Sequence, residues 1–408
     1  MTRLLWLTPE VPEPGGTGGA IRCSHLMPGL VRAGIEPIVV APTYPDQRER
    51  AVAADLCGVT LELVDRPESQ TQEALRSHLK HPSLAWHAVN RPFLGWQGSV
   101  FWTEIAGRVE RAIAEYAPDG VVVEHDFCAA WGRHLPTGMA AGLATQNATW
   151  VQQRRDAAMA TRGKAAMLGA EARRYRRMVA SALPRYSWLS AVSDVDAEAL
   201  RAVGAQAEVL ISPNGADTAS YAGFDADGGE EDSLIFTGTL SYPPNYDAAR
   251  WLIDEVMPVV RSLRPTARLK IVGRGAGDQL QRSAANAEAV ELVGWVDQLE
   301  PVLAASAVAL APLRSGGGTR LKIIEAFAAG RAVVATHIGA EGLDVEDGVQ
   351  LRLADDAQSI AAAAVELLAD RDARVRLGTA GQKLAREHYD WTAIADRHAH
   401  SIKDWLSR

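Results

Sequence analysis

The sequence predicts a two-domain α/β protein built on parallel sheets. Short apolar runs bounded by Gly, Pro or Asp alternate with segments of helical period, the pattern of strands joined by crossover helices. A chain of 408 residues is also too long for one ordinary core and suits two domains of roughly 200 residues each. Finally, glycine-bearing or polar loops follow directly on several strand candidates, at the edge where such sheets bind ligands.

In the first half the strand candidates are residues 4–7, 37–41, 120–124, 142–145 and 188–192. In the second half they are 234–237, 269–272, 290–292, 308–310 and 332–335. Between the two sets lie Pro213-Asn214-Gly215-Ala216-Asp217 and the acidic run 225–232, which together read as an interdomain connection. The expected organisation is one domain over 1–210, a second over 211–385, and a last helix over 386–408. Helices are expected at 359–369 and 373–388, and two doubly wound, Rossmann-like domains of this kind should face each other across a cleft.

Composition narrows the function classes. Hydrophobic content of 47%, charged content of 23% and aromatics at 6% are those of a folded globular protein. The net charge of −8 disfavours a nucleic-acid partner, since phosphate-backbone binding needs clustered cations. Cys23, Cys57 and Cys128 are too widely spaced for a zinc site or a disulfide framework, and a reducing cytoplasm is the expected location. The opening apolar run is too short for a signal peptide or a membrane span.

The chemistry concentrates in a few motifs. Gly316-Gly317-Gly318-Thr319-Arg320-Leu321-Lys322-Ile323-Ile324-Glu325 sets a flexible loop, two cations and a carboxylate at the start of a predicted helix. Glycines allow close backbone approach, a helix N-terminus offers N–H donors and positive potential, and Arg320 and Lys322 add full charges for a diphosphate. Glu325, one turn on, is placed to accept from ribose hydroxyls. Gly15-Gly16-Thr17-Gly18-Gly19 opens a helix near Ala20, with Gly16, Gly18 and Gly19 as a phosphate or acceptor loop. Gly238-Thr239 and Gly273-Arg274-Gly275 follow two strands of the second half. Neither glycine loop completes a dinucleotide fingerprint, which disfavours a nicotinamide dehydrogenase, and there is no P-loop, so a P-loop NTPase is excluded.

Other features admit plainer readings. The Asp225-Ala226-Asp227 triplet has the form of a metal-holding pair but precedes a strand, so it reads as a solvated loop and no metal is expected. His125, directly after a strand, is either a ligand contact or a satisfied structural histidine. The basic stretch 154–185 reads as a solvated helix face rather than a membrane contact. The segment 67–101, with Trp86 and Trp96, is either an acceptor-binding flap or packing in a long connection.

Taken together, the motifs resemble the retaining GT-B glycosyltransferases of family four, the group 1 glycosyl transferases. Arg3 to Pro42, with Arg22 and His25, resembles the family's opening; Ala191-Val192-Ser193-Asp194 and Pro213-Asn214-Gly215-Ala216-Asp217 are similar to two further signatures. Phe236-Thr237-Gly238-Thr239-Leu240, Ile271-Val272-Gly273-Arg274-Gly275, Leu292-Val293-Gly294-Trp295-Val296 and the Glu325 segment complete the donor half. The resemblance implies hexosyl transfer from a nucleotide-diphosphate sugar such as a UDP-sugar, with retention and without a bound metal or other cofactor. It places Glu325 on the ribose, His125 on the donor sugar, and Gly317, Gly318, Thr319, Gly238, Thr239, Arg274 and Val296 around the donor. The resemblance also makes 1–210 the acceptor-binding domain and 211–385 the donor-binding domain, with the last helix packing back toward the N-terminal domain, and the acceptor would be a small molecule, natural product, glycan or lipid-linked precursor. Gly317 stands where the family carries its first glutamate, and residues 239–245 lack the family's usual Arg and Lys, for which Arg320 and Lys322 are the natural substitutes. Alternatives are a non-hydrolysing sugar-nucleotide 2-epimerase of the same fold, or an inactive sugar-nucleotide-binding subunit.

Overall fold

The structure, a computed structural model, describes residues 2–43, 48, 56, 58–65 and 93–408, with the backbone alone over 93–101. Residues 67–92 of the suggested flap, and Cys57, lie outside the described residues. The chain divides into two compact units, Met1–Pro213 with Thr392–Arg408, and Asn214–Trp391.

The first unit carries a parallel seven-stranded sheet in the order β3-β2-β1-β4-β5-β6-β7. Its strands are β1 (Thr2–Leu7), β2 (Ile35–Thr43), β3 (Thr60–Asp65), β4 (Gly120–Glu124), β5 (Ala140–Ala144), β6 (Trp188–Ala191) and β7 (Val209–Ile211). Helix α1 (Gly18–Arg32) connects β1 to β2, and α2 (Phe93–Tyr116) precedes β4. Then α3 (Thr149–Met159) and α4 (Arg162–Ala182) follow β5, and α5 (Asp194–Arg201) follows β6. Parallel strands need both faces covered, which is why Val121, Val122 and Val123 of β4 are all fully buried.

In the second unit the parallel sheet has six strands in the order β10-β9-β8-β11-β12-β13. These are β8 (Glu230–Thr237), β9 (Arg268–Val272), β10 (Val290–Gly294), β11 (Ser306–Ala311), β12 (Ala332–Ala335) and β13 (Arg352–Leu353). Its helices are α6 (Pro243–Trp251), α7 (Met257–Leu263), α8 (Asp278–Asn286), α9 (Glu300–Ala304), α10 (Leu321–Ala328), α11 (His337–Ala340), α12 (Ala357–Ala369) and α13 (Arg371–His388). A π-helical turn (Leu252–Val256) joins α6 to α7. Both sheets are thus doubly wound, as the alternation predicts. In each, the order reverses beside the first strand, between β1 and β4 and between β8 and β11.

Three strands escape the sequence reading: β3, β7 and β13. All three lie at sheet edges, where half-burial and short length leave little apolar signal. The acidic run also needs correction, because Glu230, Glu231 and Asp232 begin β8 instead of remaining in a connecting loop. That end of the strand is at the rim of the sheet, where Lys270 pairs with Glu230 at 3.3 Å and Asp232 accepts from Arg264 and Thr266.

The last helix, α14 (Trp391–Leu406), belongs to the first unit. Gly29 of α1 lets it close in, since a Cβ there would stand 2.6 Å from the Ala395 carbonyl oxygen. His398 of α14 is buried between Trp6 and Trp188, with ring centroids 6.0 and 5.2 Å away, and its Nδ1 lies 3.0 Å from Ser212 Oγ. The basic stretch forms the α3–α4 hairpin. Arg154, Arg162, Lys164, Arg173, Arg176 and Arg177 are exposed there, while Tyr175 and Val179 face the core.

Candidate active site

Doubly wound sheets bind ligands at the carboxyl ends of their strands, where the strand order reverses. In the first unit the loops after β1 and β4 meet at that point. The loop after β1 carries Glu10 and Gly15–Gly19, with Thr17 capping α1 by accepting from the Ala20 N–H at 3.3 Å. Gly16 allows the turn to close, because a Cβ there would lie 2.6 Å from the Ala20 Cβ; Gly18 begins the helix. After β4 comes His125, whose φ of 70° is unusual for a residue with a side chain. Its N–H donates to the Ala144 carbonyl at 2.8 Å, and its Nε2 lies 3.4 Å from Glu10 Oε2. Burial works against the charged imidazole, yet the Glu10 carboxylate outweighs it, with Glu124 and Asp126 beyond, and His125 is held above the ordinary imidazole value.

Beneath this pair lies a buried carboxylate, Glu124. It accepts from Trp6 Nε1 and Gln146 Nε2, each at 2.7 Å, and from the Cys23 thiol, which burial pushes up and keeps protonated. Asp126 is a structural pin. It accepts from the Thr149 N–H at 2.8 Å and its hydroxyl at 2.9 Å, and from Tyr175 at 3.2 Å; burial raises its carboxyl to about 6.

The second unit repeats the arrangement with different chemistry. Gly238-Thr239 follows β8, and the glycine loop follows β11 and opens α10. Gly238 and Gly273 exist for close approach: a Cβ on Gly273 would stand 1.9 Å from the Gly238 carbonyl oxygen. Lys322 reaches from α10 across the reversal point. Its Nζ donates to Asn245 Oδ1 at 2.7 Å, and Asn245 Nδ2 donates to the Thr239 carbonyl at 3.0 Å. The ammonium also sits 4.0 Å from the centre of the Phe236 ring. Its hydrogen-bond partner among the described residues is a neutral amide. Burial, followed by the nearby Arg320 charge, therefore pushes Lys322 down to about 7. Glu325 lies one turn further along α10, and burial pushes its carboxyl up to about 7.

Arg320 and Lys322, expected to act as a pair, occupy different places. The Arg320 side chain is buried and turned back into the glycine loop, donating to the carbonyls of Gly317 and, at 3.3 Å, Ile338. Gly316 and Gly318 take positive φ values of 116° and 73° in that loop. Thr319 fastens it, because its hydroxyl accepts from the Asn214 N–H at 2.9 Å and its carbonyl from Asn214 Nδ2 at 3.2 Å. Arg274 leans over the half-exposed Trp295 ring, 5.1 Å from its centre, beside Val296. The sequence reading missed Glu10, Asn214 and Asn245. Two of them had a signal available: Asn214 stands in the Pro-Asn-Gly signature, and Asn245 in the segment that lacks the expected cations.

The Asp-x-Asp triplet is otherwise engaged: the Asp225 carbonyl accepts from Arg331 and the Asp227 carboxylate pairs with Arg371. Among the described residues no group of three or more His, Cys, Asp or Glu is placed to hold a metal ion. No described helix is long and apolar enough to cross a membrane.

Two parallel Rossmann-like sheets, each with a glycine-lined reversal point, define the chain as a GT-B protein. Residues 231–370 match the family model of the glycosyl transferases group 1, so the resemblance carried by the motifs is borne out over that segment. The phosphatidyl-myo-inositol mannosyltransferase of Mycolicibacterium smegmatis is 32% identical over 205 residues, 48% of this chain and 51% of that protein. That of Mycobacterium tuberculosis (strain H37Rv) is 30% identical over 210 residues, 48% of this chain and 54% of that protein. The chain thus spans about half the length of the curated relatives it matches. Among solved structures, Anabaena HepE in complex with UDP superposes with a TM-score of 0.68 at 15% identity, covering 99% of this chain and 100% of that one. The sucrose-phosphate synthase of Thermosynechococcus elongatus gives 0.70 at 16% identity, with 100% of both chains covered. At these identities the likeness concerns the fold.

Proposed function

We propose that the protein is a retaining, metal-independent glycosyltransferase that moves a hexosyl group from a nucleotide-diphosphate sugar to an acceptor hydroxyl. The acceptor would be a small molecule, a glycan or a lipid-linked precursor. The observation that carries the reading is the Lys322–Asn245–Thr239 chain, which brings a partly buried cation to the loop after β8, within the segment that matches the family model. The relatives' mannosyltransferase names support a hexose donor.

In this reading the bond between the anomeric carbon and the diphosphate oxygen breaks as the acceptor oxygen bonds to the same carbon. The leaving phosphate oxygen takes the acceptor proton. Negative charge grows on the diphosphate as this proceeds, so groups fixed in advance around it lower the barrier most. Lys322 supplies the full charge, and the N–H groups at the start of α10 supply dipoles. Arg320 acts by holding the glycine loop, Glu325 accepts from the ribose, and His125 contacts the sugar.

A thermal-shift screen of nucleoside diphosphates and their sugars tests the reading. A bound donor at about 100 times its Kd stabilises the protein by roughly 2.7 kcal/mol. Stabilisation by a nucleotide sugar, followed by transfer to an acceptor in excess chelator with the donor's anomeric configuration kept, is the expected result. No stabilisation by any of them, or transfer abolished by chelator and restored by metal, overturns it. Interconversion of the donor sugar without acceptor would instead identify an epimerase.

A further inference from the structure

His125 is a strained residue with a carboxylate for a neighbour. Its φ of 70° and ψ of 139° fall outside the regions ordinarily open to a residue with a Cβ, and such strain persists only where surrounding structure imposes it. Here the imposing contacts are identifiable. The His125 N–H is tied to Ala144 at 2.8 Å, its carbonyl accepts from the Cys128 N–H at 3.1 Å, and its ring lies 4.9 Å from the Phe127 ring. Nε2 is thereby aimed at Glu10 Oε2, 3.4 Å away, and the imidazole is almost wholly buried.

The loop after β1 is shaped to admit that carboxylate. A Cβ on Gly19 would stand 2.0 Å from Glu10 Oε2 and 2.9 Å from Gln146 Oε1, so any other residue at 19 would displace Glu10. Gly19 therefore makes room for a carboxylate, which disfavours an anion at the same place. The expected phosphate-binding role of Gly16, Gly18 and Gly19 thus loses its electrostatic support, while a neutral, hydroxyl-bearing ligand keeps it.

We infer that Glu10 is the positioning residue for His125, its carboxylate oxygen 3.4 Å from Nε2 holding the imidazole against the loop after β1 and aiming it at the carboxyl edge of the first sheet. The functional part of this inference rests on the reading of His125 as a sugar contact. The ionisable groups facing the ring are Glu10, Glu124 and Asp126, all acidic. Glu124 is already engaged by Trp6, Gln146 and Cys23, and Asp126 by Thr149 and Tyr175. Glu10, by contrast, faces His125 directly, with Thr17 as its other side-chain neighbour. Glu10 itself lies below the ordinary carboxylate value, because the contacts with His125 outweigh the burial that would raise it.

The test is a pH titration of the full chain labelled with ¹⁵N-histidine, the His125 signals being assigned by their loss in His125→Gln. In the native protein the His125 midpoint should lie above that of an ordinary imidazole. In Glu10→Gln the titration midpoint should move down, because burial then acts unopposed. Glu10→Asp, which keeps the charge, should move it less. A native His125 midpoint at or below that of an ordinary imidazole, or an unchanged midpoint in Glu10→Gln with the other histidines and the amide spectrum intact, overturns the inference. Should Glu10→Gln lower the midpoint but leave donor turnover and its pH profile untouched, the ion pair stands and the reading of His125 as a sugar contact fails.

Discussion

Removing the Lys322 ammonium gives the sharpest test of the second unit. In the free protein this charge is only partly compensated: its partners are a neutral amide oxygen at 2.7 Å and the face of Phe236, with Arg320 nearby as a like charge and Glu325, one turn along α10, as the opposing one. A diphosphate would supply the missing counter-charge. A charge-assisted hydrogen bond of this kind contributes about 1.5 to 3 kcal/mol, so Lys322→Met should weaken UDP by about 10- to 150-fold, and UMP less. The pH dependence has a definite sign. Lys322 lies near 7 when free, and an anion binds only its protonated form, so binding takes up a proton above that value. Native affinity should therefore fall as pH rises from 7 to 9, by at most about tenfold per pH unit, and this slope should vanish in Lys322→Met. Calorimetry with UDP in buffers of different ionisation enthalpy reads affinity and proton uptake together. Because a buried charge is replaced by an apolar side chain of similar length, the variant should melt at or above the native temperature, which separates lost binding from lost fold. Affinity within about threefold of native, or a pH slope that survives the substitution, would refute the assignment of Lys322 as the diphosphate cation.

Two further outcomes follow from the same geometry. Glu325→Ala should weaken UDP and a UDP-sugar by similar factors, on the order of tenfold, since a ribose contact is indifferent to the sugar; a loss confined to the sugar nucleotide would move Glu325 off the ribose. His398 should make the native state acid-labile. Burial, with Arg22 beside it, holds its imidazole well below the ordinary 6.5. The unfolded chain therefore binds the proton first, and stability should fall as pH drops below about 6.5. Urea titrations between pH 7 and 5 should show this fall blunted in His398→Phe; an equal fall in both proteins would assign it elsewhere.

What the sequence determined by itself is the set of local structures. Apolar runs such as Val121-Val122-Val123 and the glycines after them report their own environment, because period, burial on both faces and turn chemistry are properties of neighbouring residues. Hence the doubly wound class and the position of most motifs at strand ends were legible, whereas the half-buried edge strands β3, β7 and β13 were not. The tertiary structure alone decided which motifs meet. Lys322 and Asn245 are 77 residues apart and come together only because β8 and β11 are neighbours in the sheet, and Glu10 finds His125 only because β1 lies beside β4. The same folding turned Arg320 inward, onto the carbonyls of Gly317 in its own loop and Ile338 in α11, while Lys322 points across to Asn245. Side-chain direction at a loop–helix junction depends on positive-φ geometry and on partners such as Asn214 and Ile338, and a one-dimensional pattern carries neither.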